Sequence, residues 1–290
     1  MKIAAIQMVS TPDAARNLAR ACELMAQAAA GGAEAVALPE YFCLMGQQDR
    51  DKLAIAERDL AVAPDAAAPL QRALAHAARE LGVWVLGGTL PIACEGEAAG
   101  ERVRNSVCVY APDGQRAARY DKIHLFRFNN GREAYDEGQV LERGEQPVTV
   151  DLRARDGRTW RTGLSVCYDL RFPELFRAMS FTPGQPPCDL IAVPAAFTYT
   201  TGEAHWELLL RARAVENQAY VIAPAQGGRH ENGRRTWGHS MIVDPWGVVL
   251  GCLPEGEGVV GAELDRERLA DVRRRLPALG SRRAALRGGS

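Results

Sequence analysis

From Ile3 to Leu264 the chain alternates short apolar runs with segments of helical period, and no linker-like stretch interrupts the series. This alternation constrains the fold more than any other feature. Runs of about four to eight apolar residues make strands, longer segments with apolar positions at i, i+3 and i+4 make helices, and helices in such a series must cover sheet faces. Residues 2–9 read as a buried strand, and Ser10-Thr11-Pro12-Asp13 as a turn and cap. Ala14–Ala30 reads as a helix stopped by Gly31-Gly32, and Ala35-Val36-Ala37-Leu38 as the next strand, ended by Pro39. The expected class is therefore α/β, in a single domain over residues 1–290.

The same reading predicts a loop over 41–51, a helix over 65–81, a strand over 83–89, and an antiparallel pair from 104–110 and 119–122. Two polar segments, 126–145 and 226–237, show neither period and read as long loops; loops of that length in a compact enzyme are usually functional. Strands are expected at 147–152, 158–166, 189–194 and 220–225, with helices at 172–179 and 202–218. A hairpin at 239–251, a strand at 258–264 and a helix at 266–275 complete the series. The Arg/Gly-rich end, 276–290, reads as a loose tail or an oligomer-docking arm. Mixed crossovers and hairpins argue against a purely parallel sheet, and no G-x-G-x-x-G follows the first strand.

Composition excludes several functions. A net charge of -1 gives no global attraction to nucleic acid or to an anionic membrane, and the arginine run at 273–287 fits a packing or docking segment. No stretch approaches about 18 uninterrupted apolar residues, and the N-terminus lacks a basic segment followed by an apolar leader. Seven scattered cysteines without a C-x-x-C pair point to free thiols in a reducing compartment, with the cytoplasm as the default. No histidine spacing suggests a metal site. The expected His124 role is a local hydrogen bond.

Three chemically competent groups, Glu40, Lys122 and Cys167, each sit just past a separate strand. In α/β folds, strand ends are where distant residues converge. Lys122 is one of only three lysines, in a chain whose other cations are arginines. Cys167 sits where an apolar run gives way to a helix, which presents a thiol beside backbone N–H groups. A carboxylate to move the thiol proton, an ammonium to hold developing negative charge and a thiol to form a covalent intermediate make a self-sufficient acyl-transfer set.

Leu38-Pro39-Glu40-Tyr41-Phe42, Tyr120-Asp121-Lys122-Ile123-His124-Leu125 and Ser165-Val166-Cys167-Tyr168-Asp169-Leu170-Arg171-Phe172-Pro173-Glu174 resemble, in order and spacing, the three signature segments of the nitrilase, or carbon–nitrogen hydrolase, superfamily. The resemblance runs from Ile3 to about Leu264. It implies a four-layer α-β-β-α sandwich with mixed sheets and subunits paired through the helical layers as a homodimer or higher oligomer. It also implies a cofactor-free, metal-free Glu-Lys-Cys amidase acting on a small-molecule amide. Glu40 would be the general base, Cys167 the nucleophile, and Lys122 the oxyanion stabiliser beside the backbone N–H of Tyr168. A further glutamate would be Glu137, with Glu133 as its competitor. Arg171, four residues past the nucleophile, stands where related carbamoyl-amino-acid hydrolases bind a carboxylate. Tyr41, Ala195 and Phe197 are the other expected substrate-binding positions, and Arg127, Arg132, Arg229, Arg234 and Arg235 populate the two long loops.

Segments 195–218 and 225–247 resemble the omega-amidase and deaminated glutathione amidase branches, the second more closely. Gly227 departs from that branch, where cysteine is usual. The implied reaction is hydrolysis of deaminated glutathione to 2-oxoglutarate and cysteinylglycine. The alternatives are 2-oxoglutaramate, an N-carbamoyl amino acid, or a non-catalytic binding protein on the same fold.

Overall fold

The computed structural model describes residues 1–59, 68–131 and 133–281. The first residues of the helix expected from 65, Arg132, and the tail beyond 281 lie outside the described residues.

The first half of the chain runs through β1 (Lys2–Gln7), α1 (Ala14–Ala30), β2 (Ala35–Ala37), α2 (Asp51–Ala54), α3 (Pro69–Leu81), β3 (Trp84–Leu86), β4 (Leu90–Ala93), β5 (Val103–Tyr110) and β6 (Arg116–Asp121). A ribbon, β7 (Arg127–Asn129) and β8 (Ala134–Asp136), follows, then β9 (Val148–Arg153), β10 (Thr159–Leu164), α4 (Pro173–Ser180), β11 (Leu190–Ala192) and α5 (Tyr199–Asn217). The chain finishes with β12 (Tyr220–Ala223), a second ribbon of β13 (Gly227–Arg229) and β14 (Arg235–Trp237), β15 (Ser240–Val243), β16 (Val249–Leu253), β17 (Gly258–Glu263) and α6 (Arg266–Arg275).

Two large sheets result, β17-β1-β2-β3-β5-β4 with β6 on β5, and β16-β15-β12-β11-β10-β9. Parallel and antiparallel pairs occur in both. Alternation along each strand decides what it packs against. In the first sheet Ala4, Ile6, Val36 and Val85 meet Leu24 and Met25 of α1 and Leu74 and Ala78 of α3. The intervening Ile3, Ala5, Ala35, Ala37 and Leu86 join the core shared with Leu164, Leu190 and Ile191 of the second sheet. Leu175 and Phe176 of α4 and Trp206 and Leu210 of α5 complete that core. The outcome is the α-β-β-α sandwich with mixed sheets.

The differences from expectation have local causes. The strand expected over 83–89 is shorter, β3 ending at Leu86, and Gly88, with φ +54°, turns the chain into β4 at Leu90. A Cβ on Gly88 would lie 2.2 Å from the carbonyl oxygen of Pro39, so the glycine lets this turn press against the segment that carries Glu40. The loop expected over 41–51 ends as the single turn α2. Each long polar loop contains a two-stranded ribbon, too short and too polar to show a strand period. Helix α5 starts at Tyr199, three residues before the expected Gly202.

The described arginines near the C-terminus are held within the chain. Arg266 lies 4.0 Å over the Trp160 ring and pairs with Asp189 at 2.8 Å; Arg273 reaches the same carboxylate at 3.0 Å. Arg268 pairs with Asp244 at 2.9 Å, and Arg274 and Arg275 both pair with Asp271. Among the described residues no helix is long and apolar enough to cross a membrane.

Candidate active site

Glu40 follows β2, Lys122 follows β6 and Cys167 follows β10; Glu40 and Cys167 line one pocket, and Lys122 is bonded to two of its lining residues, Glu40 and Glu137. Glu40 and Lys122 are each 1% exposed and Cys167 is 7% exposed, so all three act outside bulk water. Lys122 Nζ donates to Glu40 Oε1 at 2.9 Å and to both oxygens of Glu137, at 3.0 and 2.7 Å. Glu40 is held at both oxygens: Asn105 Nδ2 donates to Oε1 at 2.9 Å, and the backbone N–H of Ala196 to Oε2 at 2.9 Å. Glu137 also accepts from the Tyr41 hydroxyl and from the backbone N–H of Phe126, each at 2.7 Å. A carboxylate with this many fixed donors has little freedom to turn, and its orientation is set before substrate arrives.

Burial alone would disfavour the Lys122 ammonium, but the charges of Glu137 and Glu40 outweigh it and the pKa rises above the ordinary lysine value. Lys122 therefore stays cationic. Burial pushes Glu137 upward, yet Lys122 and the hydrogen bonds to it prevail and hold its pKa below the ordinary value. Burial, reinforced by the Glu40 charge, raises the Cys167 thiol well above its usual range, against an opposing pull from Lys122. Cys167 is thus held as a thiol, and it would need a base beside it to act as a nucleophile.

Cys167 opens a short 3-10 turn, Cys167–Arg171, ahead of α4, and its φ of +49° lies in the left-handed region. That conformation costs a non-glycine residue about 1–3 kcal/mol. It is the sharp strand-to-helix turn that lifts a nucleophile out of a sheet edge. The Cys167 N–H donates to Pro194 O at 2.9 Å, tying the turn to the end of β11. Tyr41, next to Glu40, shares the left-handed backbone, at φ +56°, and its N–H donates to Thr89 Oγ1 at 2.9 Å.

The pocket is lined by Glu40, Glu137 and Cys167 together with Tyr41, Phe126, Tyr168, Phe197, Arg171 and Arg234. Arg171 lies over the rings of Tyr168 and Phe197, 5.9 and 5.4 Å from their centroids, with its Nη1 3.3 Å from His205 Nδ1. Arg234 lies 5.2 Å from the Tyr135 centroid, and its nearest carboxylate, Asp49, is 3.9 Å away.

Of the expected substrate-binding positions, Tyr41, Phe197 and Arg171 line the pocket. Ala195 lies beside it, fully buried and bridged to Ala225, and the next residue, Ala196, faces the cavity. Glu137, not Glu133, reaches Lys122; Glu133 instead accepts from Thr200 Oγ1 at 3.2 Å on the surface. Of the loop arginines, Arg234 reaches the pocket, whereas Arg127, Arg229 and Arg235 do not line it. His124 makes its local hydrogen bond, Nδ1 to Asp169 Oδ1 at 2.7 Å. Gly227 makes room for Gln7: a Cβ there would stand 2.5 Å from the Gln7 amide carbon. Asn105 escaped the sequence reading, because it sits between Arg104 and Ser106 in the polar start of β5 and nothing sets it apart from them. Among the described residues no group of three or more His, Cys, Asp or Glu side chains is arranged to hold a metal ion.

A carboxylate and a thiol lining a pocket, with a buried ammonium bonded to that carboxylate, in an α-β-β-α sandwich define a hydrolase of the amidase class. The chain belongs to the carbon-nitrogen hydrolase family, whose model matches residues 2–274, within the nitrilase superfamily. It is 41% identical to the deaminated glutathione amidase of Synechocystis over 96% of this chain and 97% of that one. It is 34% identical to the mouse omega-amidase NIT2, covering 98% of this chain and 96% of that one. Among solved structures, Saccharomyces cerevisiae Nit3, a member of branch 10 of the nitrilase superfamily, superposes with a TM-score of 0.81 at 28% identity, over 96% of this chain and 94% of that one.

Proposed function

We propose that the protein hydrolyses the amide of deaminated glutathione to 2-oxoglutarate and cysteinylglycine through a thioester on Cys167. The observation that carries this reading is the contact set around Lys122, which joins Glu40 and Glu137 beside Cys167 in a pocket containing two arginines. As substrate seats, Glu40 takes the thiol proton and the sulfur attacks the amide carbonyl carbon. The oxyanion is received by the Lys122 ammonium and the backbone N–H of Tyr168. The tetrahedral species collapses as Glu40 returns the proton to the leaving amine, and a thioester remains. Glu40 then takes a proton from water, hydroxide adds to the thioester carbon, and the carboxylate leaves with the thiol restored. No step calls for a metal or an organic cofactor, and the thiol requires a reducing setting such as the cytoplasm.

The arginines favour a carboxylate-bearing amide. Arg171 lies on aromatic rings with no carboxylate partner among the described residues, and Arg234, on the Tyr135 ring, has only a long pair to Asp49 at 3.9 Å; guanidinium groups held this way pair readily with a substrate carboxylate. Deaminated glutathione carries two carboxylates, and 2-oxoglutaramate one. Arg171→Ala is expected to raise KM for the carboxylate substrate by roughly tenfold to a hundredfold, the worth of one charge-assisted hydrogen bond, and to change kcat much less. Steady-state kinetics on both parameters checks this. Purified enzyme assayed against deaminated glutathione, 2-oxoglutaramate and an N-carbamoyl amino acid should show the highest kcat/KM for the first. Equal or better turnover of either competitor would overturn the substrate reading.

A homo-oligomer also belongs to this reading. Leu208 and Val215 of α5 are 67% and 47% exposed, and Trp246, Val248 and Leu250 of the neighbouring hairpin are 53%, 49% and 41% exposed. Apolar side chains concentrated in this way on a helical layer mark an association surface. Leu208→Glu should shift the protein to a smaller species in sedimentation velocity, with the fold retained by circular dichroism.

A further inference from the structure

Asp169, two residues past the nucleophile, takes no part in the chemistry described above, yet it is fully buried and both its oxygens are engaged. Oδ1 accepts from the backbone N–H of His124 at 3.0 Å and is 2.7 Å from His124 Nδ1. Oδ2 accepts from the Tyr120 hydroxyl at 2.7 Å and from the backbone N–H of Val166 at 2.8 Å. Tyr120 and His124 flank Lys122, and Val166 precedes Cys167. Among the described residues, every hydrogen bond between the lysine segment 120–124 and the nucleophile turn 165–171 ends on this one carboxylate. The Asp169 N–H also donates to Val166 O at 3.0 Å, closing the turn in which Cys167 is held at φ +49°. The His124 ring is stacked 3.7 Å from that of Phe172, at the far end of the same turn.

We propose that Asp169 is a positioning residue for the amidase reaction: it clamps the lysine segment to the nucleophile turn, fixing the Cys167 thiol relative to Lys122 and holding the left-handed backbone at Cys167. Three properties support the assignment. The nucleophile turn and the lysine segment follow strands of different sheets, β10 and β6, so no shared ladder sets their spacing. A strained backbone persists only where its surroundings over-determine it, and Asp169 supplies two of the hydrogen bonds that do so. Thioester formation depends steeply on the placement of sulfur, and an error of about 1 Å costs on the order of a hundredfold in rate.

The proposal rests on Cys167 being the nucleophile, and the test separates the two claims. Asp169→Asn preserves shape but replaces one acceptor by a donor. Whichever way the amide turns, it faces either the His124 donors or the Tyr120 and Val166 donors. The expected result is a kcat lower by about a hundredfold with KM within about threefold of wild type. Alkylation of Cys167 by chloroacetamide, followed by peptide mass, should slow by about tenfold. Tyr120→Phe removes a single donor, so its losses in kcat and alkylation rate should be smaller. Combined with Asp169→Asn it should add nothing further, since residues that act through one tie are non-additive. If Asp169→Asn fails to fold, Tyr120→Phe decides: reduced kcat and alkylation at unchanged Tm support the clamp, and unchanged values overturn it. A folded Asp169→Asn enzyme with wild-type kcat and alkylation rate overturns it, as does one whose only defect is a lowered Tm. An active Cys167→Ala enzyme would instead remove the functional reading on which the clamp depends.

Discussion

Lys122→Met loses stability and activity together. The ammonium is fully buried between two carboxylates, at 2.9 Å from Glu40 and 2.7 Å from Glu137, and methionine replaces it without a charge or a donor. Removing one partner of a buried ion pair costs about 3–5 kcal/mol because the remaining charge is left uncompensated. For a chain of this size that is a fall in Tm on the order of 10 °C. Turnover is expected to fall by about a thousandfold or more, since the variant lacks the group that receives the oxyanion in the proposed mechanism. The two effects have separate origins and separate under a second change. Adding Glu137→Gln removes one of the stranded carboxylates and should recover part of the Tm while leaving activity lost. Differential scanning calorimetry and steady-state kinetics on the single and double variants check both halves. A double variant no more stable than Lys122→Met would show that stranded charge is not the source of the destabilisation.

Cys167→Ala loses activity alone. In the proposed mechanism Cys167 takes part in both halves of the cycle, and knocking out a nucleophile elsewhere has cost about 10⁶ in kcat. The fold does not depend on the sulfur. Alanine inherits the same left-handed backbone, the N–H bond to Pro194 O is untouched, and a thiol whose ionised form the Glu40 charge disfavours is replaced by a methyl group. Tm should therefore stay at the wild-type value or rise slightly, as happens when a site is relieved of a functional group that stability does not need. Cys167→Ser keeps the shape but offers a hydroxyl with a far higher pKa, so it should be nearly as inactive. Substrate binding measured by calorimetry should survive in both variants, because Arg171 and Arg234 remain.

The contrast between these variants follows from what each residue does in the fold, and that was only partly visible in the sequence. The strand ends that bring Glu40, Lys122 and Cys167 together were legible because Glu40 and Cys167 follow apolar runs and Lys122 closes the strand paired with 104–110, and strand ends converge in α/β folds. The groups that orient them were not. Ala196 acts through its backbone N–H, which no side-chain pattern reveals. Asn105 lies in a polar stretch between Arg104 and Ser106, and only its amide on Glu40 sets it apart. The left-handed backbones of Tyr41 and Cys167 carry no glycine to announce them. The two ribbons have only three residues per strand, too few for a period of two to stand out from a polar loop. Charge at the pocket was legible as a supply of loop arginines, but which of them turns inward depends on the aromatic rings beneath Arg171 and Arg234, whose stacking is tertiary.

The account turns on a covalent acyl group at Cys167, and Glu40→Gln exposes it most directly. With its acid–base group replaced by an amide, the enzyme should acylate slowly and deacylate more slowly still, so the thioester accumulates. Intact mass after incubation with deaminated glutathione is predicted to rise by the mass of the 2-oxoglutaryl group, with the adduct on the peptide containing Cys167 and cleaved by hydroxylamine. An enzyme that turns over substrate while Cys167 carries no adduct, with the acyl group on another residue or on none, would contradict it.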